Sequence, residues 1–262
     1  MKVYLENHIK QFFSTKQPYF EQMMSLTGEC FRQREGRKTQ RIRLGEKMYF
    51  IKQYHGVGWK EIFKNLSQLR WPVLGANNEW LAIKKVQLLD VPTAKVVAFG
   101  QHGYNPATLK SFILMEELSP TISLENLCQQ WQRSTPTFSF KKALIKRVAE
   151  IARQLHGNGI NHRDFYICHF LLDLSQKYTK NPHLYLIDLH RAQIRQKTPL
   201  RWIVKDLGSL YFSSKEVGLT QRDLFRFMKI YSGTSLRGML ATKKTFWQAI
   251  KKRGEKLYGY HA

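Results

Sequence analysis

Two aspartates, set on different kinds of chain element, constrain this sequence more than any other feature. Asp164 ends the run Leu155-His156-Gly157-Asn158-Gly159-Ile160-Asn161-His162-Arg163-Asp164, which reads as a helix tail, a glycine-broken turn and a loop. Asp188 closes the apolar strand Leu184-Tyr185-Leu186-Ile187. Helix, loop and strand must therefore come together with one carboxylate on the loop and the other at the strand end. Transfer of a phosphoryl group from a nucleotide calls for such a pair. One carboxylate accepts or orients the proton of an attacking hydroxyl, and the other holds Mg²⁺ on the phosphates. His162-Arg163-Asp164 alone would be a common coincidence. The preceding Leu-His-x-x-Gly-Ile, the apolar Phe170-Leu171-Leu172 that follows and the second aspartate beyond it make the pattern specific.

The surrounding pattern splits the chain into a β-rich first part and an α-rich second part. Residues 1–20 read as a leader helix or extended arm. Period-two alternation predicts strands at Phe31–Arg34, Gln40–Leu44 and Met48–Lys52, with turns at Glu35-Gly36-Arg37-Lys38-Thr39 and Gly45-Glu46-Lys47. This is a meander ending in a lysine. A basic helix is expected over 58–70, with Trp59, Ile62, Phe63, Leu66 and Leu69 on its apolar stripe and Lys60, Lys64 and Arg70 around it. Trp59, Phe63, Trp71 and Trp80 are assigned by periodicity mostly to core. A second helix over Ala76–Leu89 carries Glu79 near its start. Strands follow at Val96–Phe99 and Ser111–Met115, then a linker at Glu116–Pro120. Helices are expected at Leu124–Trp131, Phe140–His156 and Thr220–Tyr231, the last with Thr220 and Asp223 as a capping box. The expectation is an α+β chain with two lobes and a cleft, divided as 1–117 and 118–262.

With 43 Lys and Arg against 19 Asp and Glu, the net charge is +24. A surface so basic attracts polyanions: nucleic acid, anionic lipid headgroups, a phosphorylated glycolipid or an acidic protein. The sign of the charge leaves these four open. No aromatic-basic recognition motif or familiar nucleic-acid fold is legible, so no specific nucleic-acid partner is expected. Cys30, Cys128 and Cys168 have no metal-ligand spacing and are odd in number, which suits reduced thiols. Glu6, Asn7, His8 and Lys10 interrupt any N-terminal apolar core, and no apolar run approaches the roughly 18 residues that span a bilayer. The expectation is a soluble or peripheral protein.

The order of these parts resembles the protein-kinase-like fold. Two runs resemble, more closely, the lipopolysaccharide core heptose(I) kinase family of Gram-negative bacteria: Asn161-His162-Arg163-Asp164-Phe165-Tyr166-Ile167-Cys168-His169-Phe170-Leu171-Leu172 and Leu186-Ile187-Asp188-Leu189-His190-Arg191-Ala192-Gln193-Ile194-Arg195. Pro72–Ala76 before Glu79-Trp80, and Leu210–Ser214 before Gly218–Asp223, add to it. The resemblance implies transfer of the γ-phosphate of ATP to a hydroxyl of the first inner-core heptose. It implies an ATP and Mg²⁺ requirement, a lipopolysaccharide core glycolipid as acceptor, and a place on the cytoplasmic face of the inner membrane. By the same resemblance Asp164 is the catalytic aspartate and Asp188 the metal ligand. Lys52, held by Glu79, meets the phosphates, and Glu116 to Leu118 meet the adenine.

Three departures from the protein-kinase pattern stand out. No glycine-rich loop is present, so Arg37 or Lys38 would supply charge at the phosphates instead. His169 stands where the second metal-binding asparagine is expected, and would bond a phosphate or bind metal through water. His190 replaces the glycine after the metal aspartate, which argues against a phosphorylation-switched loop. These losses favour a small-molecule or glycolipid acceptor.

Plainer readings accompany the sharp ones. Lys52 and Glu79 could form a surface pair of little value. Cys168 beside His169 could suggest a thiol nucleophile. His162 is read as structural and Arg163 as neutralising or orienting loop carboxylates. Asp206 is read as beginning a helix and tethering the catalytic loop. The competing functions are a kinase for another inner-core sugar (the octulosonic acid), or a catalytically silent module that binds acidic lipid or nucleic acid. An acidic protein partner is also compatible with the charge.

Overall fold

A computed structural model describes every residue except 35, 69, 70, 132, 177–180, 236, 239–243 and 260–262. Its contacts form two compact units. One holds Met1–Lys84 with Ala94–Leu118, the other Lys85–Thr93 with Ser119–Ala262.

The first unit is built on a six-stranded antiparallel sheet. Its strands are β1 (Lys2–Leu5), β2 (Glu29–Arg34), β3 (Arg37–Leu44), β4 (Lys47–His55), β5 (Val96–His102) and β6 (Lys110–Glu116), in the order β1-β5-β6-β4-β3-β2. The N-terminus, expected as a leader helix or extended arm, begins as an edge strand of this sheet. Lys2–Leu5 pairs with Gln101–Ala98 along the sheet edge. Two short helices, α1 (Asn7–Lys10) and α2 (Tyr19–Ser25), bring Ile9, Phe20 and Met23 onto Ile42, Tyr49, Ile51, Phe112 and Leu114, which fill one face. Alternation along β4 sends Lys52 to the opposite face.

The turn between β2 and β3 is shorter than the spacing suggests. Arg34 pairs with Arg37, so Arg37, Lys38 and Thr39 belong to the strand. Gly36 makes this tightness possible. Its φ is +69°, and a Cβ there would lie 2.1 Å from the carbonyl oxygen of Gly56. After β4 comes helix α3 (Gly58–Ser67), which ends earlier than expected; Leu69 and Arg70 lie outside the described residues. Only Ile62 of α3 is buried, while Trp59, Phe63 and Trp71 are 50%, 63% and 74% exposed. The stripe expected in the core therefore faces outward, with Trp59 stacked on Phe63. Trp80, on α4 (Asn77–Gln87), instead stacks on Phe99 with ring centroids 4.2 Å apart.

The second unit is mainly helical, with α5 (Leu124–Gln130), α6 (Phe138–Gly157), α7 (Leu200–Ser213), α8 (Gln221–Ser232) and α9 (Lys244–Tyr258). A three-stranded sheet pairs β7 (Thr121–Ser123), β9 (Phe170–Asp173) and β10 (Leu184–Leu186). A two-stranded one pairs β8 (Ile160–Asn161) with β11 (Gln193–Ile194). The long helix α6 buries Leu144, Val148, Ile151, Ala152 and Leu155 at helical spacing and packs on α8.

Helix α8 opens with the expected capping box. Thr220 Oγ1 accepts from the Asp223 amide, and the Asp223 carboxylate accepts from the Thr220 amide. Burial works to raise the pKa of Asp223. Hydrogen bonds from Lys141 and Thr220 overcome it and lower the carboxyl from 3.8 to about 2. A group whose pKa falls on folding stabilises the fold above its unfolded value and loses that contribution as pH drops through the folded one. Asp223→Asn should therefore cost about 1–2 kcal/mol at neutral pH, as loss of a cap does. In urea unfolding the deficit should shrink as pH is lowered from 4 toward 2. A deficit that stays constant across that range would show that the charge is not what stabilises this helix start.

Candidate active site

The first unit contributes a buried ion pair. Lys52 Nζ donates to Glu79 Oε1 at 2.5 Å, with the side chains 11% and 1% exposed. This is not the surface pair that the sequence left open. Burial of both charges costs several kcal/mol in desolvation, so stability alone is a weak reason for such a pair. Glu79 Oε2 is buried without a hydrogen-bond partner, which leaves Lys52 the group that this carboxylate positions.

Sheet register puts Arg37 and Lys38 on opposite faces. Arg37 lies opposite Tyr54 and Thr39 opposite Lys52, so Arg37 shares the Lys52 face and packs over the Tyr54 ring at 5.3 Å. Lys38 lies opposite Gln53 and points to the other face, with Gln40 and Ile42. Glu116 ends β6 and its carboxylate accepts from Lys95 at 3.4 Å. The following amide, of Glu117, bonds to Met48 O at 3.0 Å, and the Glu117 carboxylate takes both Nε and Nη2 of Arg41. Leu118 closes the unit.

In the second unit, the catalytic-type loop hangs from one carboxylate. Asp206 is fully buried. Its Oδ2 accepts the His162 amide at 2.6 Å, and its Oδ1 accepts the Arg163 amide at 2.9 Å. The tether expected of Asp206 is present, although the residue lies in the middle of α7 and not at its start. His156 Nε2 stands 3.4 Å from the same carboxylate and its Nδ1 2.9 Å from the Tyr231 hydroxyl. Upstream, Gly159 has φ +79°, and a Cβ there would sit 1.8 Å from Arg195 O, so only glycine lets β8 lie against β11.

Two histidines tie the loop to the strand that carries Asp188. His162 Nε2 lies 2.9 Å from Ile187 O; a carbonyl only accepts, so this nitrogen carries the hydrogen. Burial lowers the His162 pKa and keeps the ring neutral, the structural role read from the sequence. His169 Nδ1 donates to Asp164 O at 2.6 Å, and the Ile187 amide donates to His169 O at 3.0 Å. Arg163 and Asp188 have φ of +74° and +63°, a left-handed conformation that side chains adopt at a cost of order 1–2 kcal/mol. Strain at Asp188 and at Arg163 beside Asp164 marks a site whose geometry the packing imposes.

Asp164 is fixed by Arg191, whose Nη1 lies 2.9 Å from Oδ1 and 3.2 Å from Oδ2. The sequence reading gave the orienting task to Arg163. The structure gives it to Arg191, three residues beyond Asp188, and turns the Arg163 side chain toward Trp202. Asp188 Oδ1 takes His190 Nδ1 at 2.6 Å, while Oδ2 faces His169 Nε2 at 3.7 Å. In neutral His169 the hydrogen is committed at Nδ1, so Nε2 turns a lone pair toward a carboxylate oxygen. Two Lewis bases facing each other across that gap suit a cation. Among the described residues no group of three or more His, Cys, Asp or Glu could hold a metal. That is compatible with Mg²⁺, which takes one or two protein oxygens and completes its shell from phosphates and water. Burial pushes the Cys168 thiol up to about 11, which disfavours the thiolate that a nucleophile needs. Sequence reasoning also missed an apolar cavity of about 440 Å³ in the second unit, lined by Leu124, Cys128, Leu144, Leu210, Trp247 and Ile250 among others.

A buried Lys–Glu pair beneath an antiparallel sheet and an anchored aspartate loop beside a second aspartate at a strand end define a phosphotransferase of the protein-kinase-like α+β class. The chain belongs to the lipopolysaccharide kinase (Kdo/WaaP) family, whose model matches residues 21–231. It is 48% identical to the lipopolysaccharide core heptose(I) kinase WaaP of Escherichia coli strain K12, over 91% of this chain and 90% of that one. It is 42% identical to the enzyme of the same name from Pseudomonas aeruginosa, over 98% and 96%. Among solved structures it resembles WaaP in complex with acyl carrier protein, with a TM-score of 0.85 and 38% identity, covering 98% of this chain and 100% of that one.

Proposed function

We propose that this chain transfers the γ-phosphate of ATP to a hydroxyl of the first heptose of the lipopolysaccharide inner core. The observation that carries the reading is Asp164, clamped by Arg191 on a loop whose amides are bound to buried Asp206. A carboxylate so fixed orients an acceptor hydroxyl for in-line attack. Lys52, aimed by Glu79, neutralises phosphate oxygens, and Arg37 adds charge from the same sheet face. Glu116 and Leu118 border the adenine. Asp188, with His169 beside it, would hold Mg²⁺, which neutralises charge on the phosphates when bound. Likeness to heptose(I) kinases over nine-tenths of the chain supports the heptose as acceptor.

Mass analysis of core oligosaccharide incubated with the protein and ATP tests the reading. One added phosphate on the first heptose is expected. Phosphate on the octulosonic acid, or on no sugar, would overturn it.

Lys52→Ala and Glu79→Ala should be strongly non-additive in kcat/KM, because both act through one ion pair. If the double variant loses the product of the two single losses, the pair does not work as a unit.

Two partners follow from the same reading. The chain works at the cytoplasmic face of the inner membrane as a peripheral protein. No helix among the described residues is long and apolar enough to cross a membrane, and α3 presents Trp59, Phe63 and Leu66 to solvent beside Lys60 and Lys64. Aromatic side chains flanked by lysines suit a headgroup layer, and each lysine near an anionic surface contributes about 1 kcal/mol. Reversing Lys60 and Lys64 to Glu should raise the KM for the glycolipid and steepen no other dependence, leaving the KM for ATP nearly unchanged. Equal effects on both substrates would remove α3 from the acceptor side. The second partner is an acyl carrier protein. Net charge +24 favours so acidic a protein, and the apolar cavity of the second unit suits a fatty chain.

A further inference from the structure

One indole gathers an unusual concentration of positive charge close to Asp164. Around the Trp202 ring, near the start of α7, Lys205 Nζ lies 5.2 Å from the centroid. The guanidinium carbons of Arg201, Arg163 and Arg195 lie at 5.3, 5.4 and 5.8 Å. The quadrupole of one ring offsets the mutual repulsion of four cations only in small part.

The nearby carboxylates are already engaged. Asp164 is taken by Arg191, and Asp206 by two backbone amides with His156 alongside. Arg195 spends Nη1 and Nη2 on the neutral side-chain oxygens of Asn161 and Gln193, each at 2.7 Å. Among the described residues no carboxylate stands within ion-pair distance of Arg163, Arg195 or Lys205. Arg163 is the extreme case. It is 7% exposed, and its Nε is buried with no hydrogen-bond partner.

Burial and then Arg191 lower the Arg163 pKa, outweighing the pull of Asp164 and Asp206; burial, then Arg163, Arg191 and Arg253, lower that of Lys205 against a smaller pull from Asp164. An arginine stays protonated under such stress, so an anion brought from outside is what relieves it. The half-buried Trp202 and Lys205 leave a way in. Guanidinium forks beside an ammonium match the oxygens of a carboxylate or a phosphate monoester.

We propose that Arg163, Arg195 and Lys205, walled by Trp202, form a subsite for an anionic oxygen group of the acceptor, next to the hydroxyl that Asp164 orients. This rests on the reading of Asp164 as the group that meets the acceptor. The recognised anion is either a carboxylate of an acidic core sugar or a phosphate already on the core. It docks the acceptor, and Asp164 then acts on a hydroxyl at a fixed distance from it.

Two measurements test the subsite. In steady state, Lys205→Gln should raise the KM for core glycolipid about tenfold and leave the KM for ATP within about twofold, with Lys205→Arg restoring most of the loss. The same assay with enzymatically dephosphorylated acceptor and with carboxyl-reduced acceptor identifies the anion. On the acceptor that lacks the recognised group, wild type falls to the level of Lys205→Gln and the substitution adds nothing. In the second measurement, fluorotryptophan protein, with the Trp202 resonance assigned through Trp202→Phe, is titrated with inorganic phosphate and with acetate at constant ionic strength. At least one anion should shift that resonance saturably, more weakly in Lys205→Gln. Equal changes in both KM values, or a Trp202 resonance that drifts linearly with both anions, would overturn the proposal. If wild type phosphorylates no core glycolipid but the Trp202 resonance saturates, the assigned function fails and the anion site stands.

Discussion

Asp164→Asn should lower phosphoryl transfer by ~10²- to 10⁴-fold, the range lost with a positioned acid–base group. Fold and nucleotide affinity should stay close to wild type. The carboxylate is half-buried and is held by Arg191, which can still donate to an amide oxygen, so the loop keeps its anchor. The amides of His162 and Arg163 bind Asp206, not Asp164, and His169 binds the Asp164 carbonyl, which the substitution leaves in place. What disappears is the second negative oxygen that orients the acceptor hydroxyl. The measurement pairs single-turnover transfer to core glycolipid with calorimetric nucleotide binding. Near-normal transfer would move the catalytic role to another residue. Lost transfer accompanied by lost nucleotide binding would mean a collapsed site.

Asp188→Asn should fail in a different way. Asn keeps the shape and can still accept from His190 Nδ1, but it turns one charged oxygen facing His169 into an amide nitrogen. The gap between Oδ2 and His169 Nε2 then pairs a donor with a lone pair and closes on itself. Affinity for Mg²⁺ should fall by more than the roughly 10- to 100-fold that loss of a supporting contact costs. A Mg²⁺ titration at fixed ATP should therefore show a large right shift in nucleotide binding as well as in turnover. An unchanged metal dependence would place the cation elsewhere. The two aspartates are thus separable: one substitution spares the nucleotide and the other does not.

Much of this was legible in the sequence because its signals are local. Alternation gave the strands β2 to β4, short apolar runs gave β5 and β6, the Thr220–Asp223 box gave the start of α8, and the loop and strand motifs gave Asp164 and Asp188. What escaped depended on distant pairing or on direction. Strand β1 is four residues long, and its partner β5 lies more than ninety positions away, beyond the reach of any window. Periodicity shows that Trp59, Phe63 and Leu66 share a side of α3 but not which side meets the core. The choice between Arg37 and Lys38 hangs on where the turn ends, since one residue more reverses every face along the strand. Arg191 and not Arg163 bonds Asp164, while Arg163, at a positive φ, has its guanidinium over Trp202. No residue pattern announced that arrangement. The cations around Trp202 come from the loop, α7 and the residue after β11, so their convergence belongs to tertiary structure.

The Asp206 tether has a consequence in time as well as in space. Loop amides ordinarily trade their hydrogens with water at each local fluctuation. Those of His162 and Arg163 are bound to a carboxylate embedded in the middle of α7, against which α9 also packs. To release them the helix itself must come away. In deuterated water these two amides should keep the schedule of α7 and not that of a loop, so the hydrogen lifetimes of this short segment report how long the helix stays seated.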